Sequence, residues 1–264
     1  MQNLNQGFLE NSVIIAAHPD DEILWFSSIM KDVNKVLIVY EDFWAHPELG
    51  ANRAKAVAEL PHADVTSLKI AEAGTYGLAD WHNPKLSRYG IAFGSEAIIR
   101  EVKRQVKSVL PSPEQTPDQS VWANYRGNYD KLYVALDAVL SEEMNVFTHN
   151  PWGEYGHEEH IQVFRVIDDL RAKKGFKLWM SNYVTNRSLP LAMTYFSASE
   201  VQYIKRPTDK IYAEAVADVY RKHDCWTWHN DWKWFDEECF MEAPTHQKNN
   251  GEQAHLSPLN VFSI

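Results

Sequence analysis

The chain has 264 residues, of which 45% are hydrophobic and 23% are charged, and this suits a single domain, residues 1–264, with a sizeable core. The formal charge of −10, with acids and bases interspersed, argues against a nucleic-acid partner. No apolar run approaches the roughly 20 residues of a membrane helix. The N-terminus lacks a basic segment followed by an apolar one, so we expect no secretory signal. Cys225 and Cys239 could form a disulfide, but two free thiols in a cytoplasmic protein are the favoured interpretation.

Strands alternate with helices along the first part of the chain. Short apolar runs predict buried strands, and segments with helical spacing follow the first two of them. Alternation of this kind indicates a parallel sheet built from βαβ units. The predicted strands are residues 12–17, 35–40 and 65–70, and the predicted helices are residues 22–33 and 48–60. Residues 71–93 are rich in Gly, Asn and aromatics, which predicts a long functional loop inserted in the fold.

The second part of the chain continues the same pattern with two irregular regions. Residues 111–128 begin with a Pro-rich polar break and are predicted to be a loop embellishment, and residues 225–264 form an aromatic C-terminal extension. Helices are predicted at 94–110, 129–142, 157–174 and 208–224, and strands at 145–149, 176–184 and 191–197. The fold class is therefore α/β and Rossmann-like, with a mostly parallel sheet flanked by helices.

Two clusters of histidines and acids follow predicted strands. HPDDE, residues 18–22, comes directly after the first strand, and HEEH, residues 157–160, follows strand 145–149 after a short loop. The carboxyl ends of parallel strands are where open α/β sheets bind ligands. A catalytic zinc site takes three ligands from His, Asp, Glu and Cys. Because the cysteines lie far along the chain, the candidate ligands are the histidines and carboxylates of these clusters.

Simpler explanations exist for each cluster. HPDDE could be only a helix start, with Asp20 or Asp21 as the N-cap and Glu22 favouring the helix dipole. That explanation leaves His18 and the second cluster unexplained. In HEEH, the three-residue spacing places both histidines on one side of a helical turn. We expect Glu158 and Glu159 to be solvated residues of that turn that face outward.

Several further side chains are candidates for the same cleft. His46 follows the second strand and is a candidate substrate contact, and His149, at a strand end, is a candidate partner of a metal ligand. The long loop could form a lid or a sugar platform, or it could pack as an ordinary surface loop, through Tyr76, Trp81, His82 and Asn83. The tryptophans at even spacing between 226 and 234 favour one aromatic face that packs on the sheet rather than binding sugar.

The segments AAHPDDE and THNPWGEYGHEEH resemble the PIG-L/LmbE-like family of zinc-dependent N-deacetylases, over residues 12–40 and 145–165. The resemblance implies zinc ligands at His18, Asp21 and His160, with Fe²⁺ as an alternative metal. It further implies that Asp20 is the general base. By the same resemblance, His157 stabilises the oxyanion or protonates the leaving amine, and Tyr155 and Arg53 contact the substrate. The chain differs from the family pattern at three places. It has HEEH where members often have H-P-D-H, and Ala56 where they usually have a glutamate. In the C-terminal helix it has YRKHDCWTW, without the Ser-Gln that is frequent there.

The activity implied by this resemblance is hydrolysis of the N-acetyl amide of an amino sugar or N-acetylglucosamine-type glycoconjugate, which releases acetate and a free amine. One alternative is an amidohydrolase for another small N-acyl metabolite or thiol conjugate, and a second is a non-catalytic carbohydrate-binding protein. The expected partner is a small molecule, with neither nucleic acid nor membrane, and the sequence leaves open whether the chain forms a homo-oligomer.

Overall fold

The computed structural model describes residues 7–42, 47–93, 117–196, 203–243 and 259–264. The strands in chain order are β1 (Ser12–Ala16), β2 (Lys35–Tyr40), β3 (Val65–Ile70), β4 (Leu86–Ser87), β5 (Gly90–Ile91), β6 (Asn145–Thr148), β7 (Lys177–Ser181), β8 (Tyr183–Val184), β9 (Tyr203–Pro207), β10 (Glu237–Glu242) and β11 (Asn260–Val261). The described helices are α1 (Asp21–Leu24), α2 (Pro47–Ala58), α3 (Pro117–Asp137), α4 (Glu158–Lys174), α5 (Leu189–Phe196) and α6 (Lys210–Lys222).

Seven strands form the main sheet, in the order β3-β2-β1-β6-β7-β10-β9. The first five run parallel, and β10 runs antiparallel to both of its neighbours. This confirms the predicted α/β class with a mostly parallel sheet. The antiparallel edge was not predicted, and it changes the interpretation of the C-terminal extension, because β10 lies between two other strands and is integral to the sheet.

Helices cover both faces of the sheet, and the alternation along β1 shows how. Val13 and Ile15 belong to the hydrophobic cluster that includes buried side chains of α3 and α4. Ile14 and Ala16 belong to the opposite cluster, with side chains of α1, α2 and α6. All five residues of β1 are buried. A parallel strand between two helical layers is apolar on both faces, which explains the continuous run SVIIA.

The chain changes direction across the sheet between β1 and β6. From β1 the next strand lies on one side, at β2, and from β6 it lies on the other side, at β7. Such a switch point leaves a crevice beyond the carboxyl ends of the two central strands. A side-chain hydrogen bond also links β6 to β1, since the hydroxyl of Thr148 donates to the carbonyl of Ile15 at 2.8 Å. Both histidine clusters follow strands that end at this crevice.

The helix that carries HEEH has well-defined ends. Its N-cap is His157, whose ring Nδ1 accepts a hydrogen bond from the backbone N–H of Glu159 at 3.2 Å. Acidic residues occupy the first turn, and Arg171, Lys173 and Lys174 occupy the last, as the helix dipole favours. Gly175 ends the helix in the left-handed conformation, with φ of 87°. The structure confirms the helix predicted over 157–174.

Other predicted elements are wrong in extent or type. Residues 117–128, predicted to be part of a loop, form the first half of α3, which begins with a proline as helices often do. Residues 191–196, predicted as strand, belong to α5, with Leu191 and Ala192 buried and Met193 exposed. A short apolar run does not distinguish a strand from a helix. Within the predicted helix 22–33 only α1 is helical, and turns follow it. The helix predicted at 94–110 lies outside the described residues.

The predicted free thiols are confirmed, since Cys225 and Cys239 are buried and unpaired with each other. The predicted long loop is largely irregular between β3 and the small β4–β5 hairpin. Within the part of the chain that the structure describes, no helix has both the length and the apolar character needed to span a bilayer.

The hairpin packs so closely on α4 that Gly90 admits no side chain. Gly90 has φ of 128°, and a Cβ there would lie 2.3 Å from the Tyr125 hydroxyl and 3.2 Å from the Gln162 backbone. We expect Gly90→Ala to lower the free energy of unfolding by about 1–3 kcal/mol, measured by urea denaturation. The control is Gly127→Ala, a helical glycine with open space around it, which should raise that free energy by about 0.5–1 kcal/mol. Equal effects of the two substitutions would contradict this packing.

Candidate metal centre

The backbone of HPDDE turns sharply after Pro19. Asp20 adopts the left-handed conformation, with φ of 98°, although it is not glycine. Its side chain makes no capping hydrogen bond to α1. The helix-start explanation therefore does not account for the Asp20 carboxylate, which is buried and accepts a hydrogen bond from the Thr227 hydroxyl at 2.7 Å. Strained backbone of this kind persists where the surrounding structure holds it, often at a functional site.

Two of the predicted ligands, His18 and His160, meet at a carboxylate oxygen of the third, Asp21. Asp21 Oδ2 lies 3.1 Å from His18 Nδ1 and 3.1 Å from His160 Nε2. It also accepts the backbone N–H of His18 at 2.8 Å. All three side chains are buried. Two imidazoles and one carboxylate gathered in this way form a donor set that suits a divalent transition metal.

Glu154 determines which nitrogen of His160 faces this point. Its Oε2 lies 2.8 Å from His160 Nδ1 and 3.0 Å from His149 Nδ1. Burial by itself raises the pKa of Glu154, but the two histidines outweigh it and lower the pKa to about 2. An ionised carboxylate only accepts hydrogen bonds, so both Nδ1 atoms carry protons. Burial lowers the pKa of His160, but the carboxylates of Asp21 and Glu154 outweigh it and raise the pKa to about 9. When the ring is neutral, its lone pair is on the buried Nε2, which faces Asp21 Oδ2 at 3.1 Å.

Two groups of the described residues have ligand atoms mutually close enough to hold a metal ion: His18, His157 and His160 in one, and Asp21, His149 and His160 in the other. The predicted ligand set differs from both groups and shares two residues with each. The second group requires His149 Nε2, and that atom accepts the backbone N–H of Ala17 at 2.8 Å. Its lone pair is therefore already engaged. His149 instead packs against the ring of His160 at 3.9 Å between centroids and shares Glu154 with it, in keeping with its predicted place beside a ligand.

Glu159 is buried and contacts the site, which corrects the prediction of an outward-facing residue. Its Oε2 lies 3.0 Å from His18 Nε2, and its Oε1 accepts the backbone N–H of Ala73 at 2.6 Å. Burial alone would lower the pKa of His18, but hydrogen bonds to Asp21 and Glu159 raise it to about 10. Each of the two converging histidines thus has its outer nitrogen on a buried glutamate, which is the arrangement typical of metal-bound imidazole.

Glu158 is also buried, and here too the predicted solvated position was wrong. Its carboxylate accepts the backbone N–H groups of Gly77 at 3.2 Å and Ala79 at 3.0 Å, and the indole N–H of Trp81 at 3.3 Å. Burial raises its pKa. The two central acids of HEEH therefore hold the long loop against the start of α4.

A cavity of about 440 Å³ opens above the converging ligands. Arg53 and Tyr155, two of the predicted substrate contacts, line it, whereas the lining residues among those described do not include Trp81. His46 lies outside the described residues. The lining comprises His18, Asp20, Asp21, Leu24, Arg53, Glu72, Tyr76, Tyr155, His157, Glu159, Thr227, Trp228, His229 and Ile264.

The polar side of the cavity is built around Arg53. This side chain is 3% exposed and donates to Glu72 Oε1 at 3.1 Å, to the Asp42 carbonyl at 3.2 Å and to the Thr227 hydroxyl at 3.3 Å. Ala56, three residues after Arg53, is buried in the core. Glu72, from the end of β3, is the acid that pairs with Arg53 in this chain.

The opposite side of the cavity is aromatic. Tyr155 packs against Trp228, with ring centroids 5.1 Å apart, and Trp228 packs edge-on against Trp25 at 5.4 Å. The predicted packing of the tryptophan-rich segment on the core is confirmed, since Trp234 is buried and the other three contact the core cluster. Trp228 takes part in both the core and the cavity wall.

Two side chains beside the ligands have shifted pKa values. Burial and the charge of Asp21 raise the pKa of Asp20 to about 6, against the opposing effect of Arg53 and Thr227. Burial, with the nearby His160 and His18, lowers the pKa of His157 well below its usual range. Because Nδ1 of His157 accepts the Glu159 N–H, the proton of the neutral ring is on Nε2.

Sequence patterns did not identify four residues of this site: Glu72, Glu154, Glu159 and Thr227. Glu154 follows Gly153 in a turn and has φ of 50°, which no short motif indicates. Thr227 comes from a segment more than 200 residues away from Asp20 in the chain. Glu159 could have been suspected, because an acid beside two predicted site histidines is a candidate partner for either.

The chain matches no protein-family model and no curated protein. One solved structure, of a deacetylase–teicoplanin complex in the teicoplanin biosynthesis pathway, matches with a TM-score of 0.46 and 12% sequence identity. The match covers 89% of this chain and 98% of that chain.

Glu154→Gln should weaken metal binding. The substitution removes the charge that keeps both Nδ1 protons in place, so His160 Nε2 is no longer presented as a fixed lone pair. We expect the affinity for Zn²⁺ to fall about 10-fold to 100-fold in a chelator competition titration. The matched control is Glu143→Gln, an exposed glutamate, which should leave the affinity unchanged. An unchanged affinity in Glu154→Gln would contradict this role.

Proposed function

We propose that this chain is a metal-dependent hydrolase that removes the acetyl group from an N-acetylated amino sugar or N-acetylglucosamine-type glycoconjugate, releasing acetate and a free amine. The observation that carries the proposal is the meeting of His18 and His160 at one carboxylate oxygen of Asp21. His18, Asp21 and the buried Asp20 all line the adjoining cavity. The resemblance of HPDDE and HEEH to the PIG-L/LmbE-like deacetylases supports it.

His18, Asp21 and His160 are the residues that would hold the metal. The buried Nε2 of His160 and the Asp21 carboxylate oxygen that lies between two imidazoles both fit a divalent cation. Zn²⁺, or Fe²⁺ in its place, supplies a Lewis acid that polarises the amide carbonyl and lowers the pKa of a water molecule.

Asp20 is the proposed general base. It lines the cavity next to Asp21 and belongs to neither group of close ligand atoms. Its carboxylate accepts a proton from the attacking water as the oxygen of that water bonds to the acetyl carbon. The same proton then passes to the amine nitrogen as the C–N bond breaks. One carboxylate in this way supplies both the base and the acid of the hydrolysis.

His157 is the proposed stabiliser of the oxyanion, as a neutral hydrogen-bond donor. Burial and the neighbouring His160 and His18 lower its pKa, which favours the neutral ring. The Nε2–H of the neutral ring donates to the acetyl oxygen as negative charge develops there. Its Nδ1 is held by the first turn of α4, so the ring is oriented before substrate arrives.

The cavity walls support an amino-sugar substrate. Tyr155 and Trp228 present aromatic faces, which suit the apolar face of a sugar ring. Arg53 and Glu72 offer a donor and an acceptor for hydroxyl groups on the other side. A volume of about 440 Å³ lies within the range of cavities that bury small ligands.

Asp20→Asn and His160→Ala should separate catalysis from metal binding. Asparagine tolerates the left-handed backbone conformation, so Asp20→Asn should keep its metal while acetate release falls on the order of 10²-fold to 10⁴-fold. His160→Ala should lose the metal itself. The measurements are metal content by mass spectrometry and acetate release by the Zn²⁺-loaded protein. Equal loss of metal in both variants would show that the roles are assigned wrongly.

Substrate profiling of the same wild-type protein tests the substrate class. We expect acetate from at least one N-acetylglucosamine conjugate in a panel that also holds other N-acyl metabolites and thiol conjugates. Cleavage of only those other amides would show that the substrate is another N-acyl compound and not an amino sugar. Binding of sugar without any cleavage would instead favour a carbohydrate-binding protein.

A further inference from the structure

Thr227 connects the proposed base to the polar side of the cavity. Its hydroxyl donates to Asp20 Oδ2 at 2.7 Å and accepts from Arg53 at 3.3 Å. Among the described residues, no hydrogen bond reaches the other carboxylate oxygen of Asp20, Oδ1. Thr227 belongs to the irregular segment between α6 and β10, outside both histidine clusters.

The backbone around Thr227 is held on both sides. Cys225 is buried, and its backbone N–H donates to the Tyr220 carbonyl at 3.0 Å. Trp226 packs against the ring of Tyr220, and Trp228 packs against Trp25. The hydroxyl is therefore presented to Asp20 from a fixed position, although the Thr227 residue itself is exposed to the cavity.

We infer that Thr227 is a positioning residue for Asp20, which leaves Oδ1 as the oxygen that takes the proton from the attacking water. The inference rests on the proposed function, and it assigns a catalytic consequence to a segment in which this chain departs from the deacetylase family.

The chemistry of a hydroxyl group makes this selection definite. A threonine hydroxyl has one proton to donate, and Arg53 cannot accept it because a guanidinium has only donors. The Thr227 proton is therefore directed to Asp20 Oδ2. The positive charge of Arg53 polarises the hydroxyl and strengthens that donation. With Oδ2 engaged and the Asp20 backbone held in its left-handed conformation, the orientation of Oδ1 is determined as well.

The test compares Thr227→Val with Thr227→Ser. Valine keeps the β-branched shape and removes the hydroxyl, whereas serine keeps the hydroxyl. We expect Thr227→Val to lower kcat on the order of 10-fold to 100-fold, because a misplaced catalytic group costs about that much. KM should stay within about 2-fold, and the metal content should match that of the wild type. Thr227→Ser should recover most of kcat, and Thr66→Val, an exposed threonine on β3, should behave as wild type.

A double-mutant cycle with Asp20→Asn gives a second readout. If Thr227 acts through Asp20, then Thr227→Val should cause no further loss of kcat in the Asp20→Asn background. Additive losses would overturn the inference, as would an unchanged kcat in Thr227→Val, a rise confined to KM, or a Thr227→Ser variant as slow as Thr227→Val. Each of these outcomes overturns only the role of Thr227, because the wild type is active in all of them and the proposed function stands. A wild type that cleaves no N-acyl substrate would overturn the proposed function and the inference together.

Discussion

The organisation of this site depends on the carboxylate of Glu154. It is fully buried, and it accepts hydrogen bonds from His149, His160, the backbone of Asn150 and the hydroxyl of Ser181. These partners come from the end of β6, the start of α4 and the end of β7. A buried charge is tolerated only when it is well paired, so these three elements must meet in one arrangement. That arrangement directs Nε2 of His160 toward Asp21 and Nε2 of His149 toward the end of β1.

The same principle explains how so many acids can be buried at one edge of the sheet. Asp21 is held by two imidazoles, and Glu159 by His18 and a backbone amide. Glu22 behaves differently. Burial raises its pKa to about 8, and it accepts hydrogen bonds from Tyr220 and from the backbone of Asp20. Each acid has its own compensation, so the cluster contains several distinct interactions. A divalent cation at the converging ligands would relieve the repulsion that remains.

The long loop, residues 71–93, is joined to these buried acids by hydrogen bonds. Glu158 and Glu159 bind four donors of residues 73–81, a segment that includes Tyr76 of the cavity wall. The helix that supplies His160 thus also positions one side of the cavity. The tryptophan-rich segment supplies another side, and Trp228 joins that wall to the core through Trp25. The cavity walls and the candidate metal centre are therefore built from shared elements.

The sequence alone determined the alternation of strands and helices, the mostly parallel sheet and the two histidine clusters, because these depend on local periodicity and on residue types close together in the chain. It predicted His18, Asp21 and His160, which the structure brings together. Only the tertiary structure decided the partners of those residues. Glu154, Glu159 and Thr227 act through contacts between segments distant in the chain. From sequence alone, an acid beside a histidine in a helical turn can be either solvated or buried. The antiparallel edge and α5 were missed for the same reason, since packing against the rest of the sheet selects between conformations that a short apolar segment permits equally.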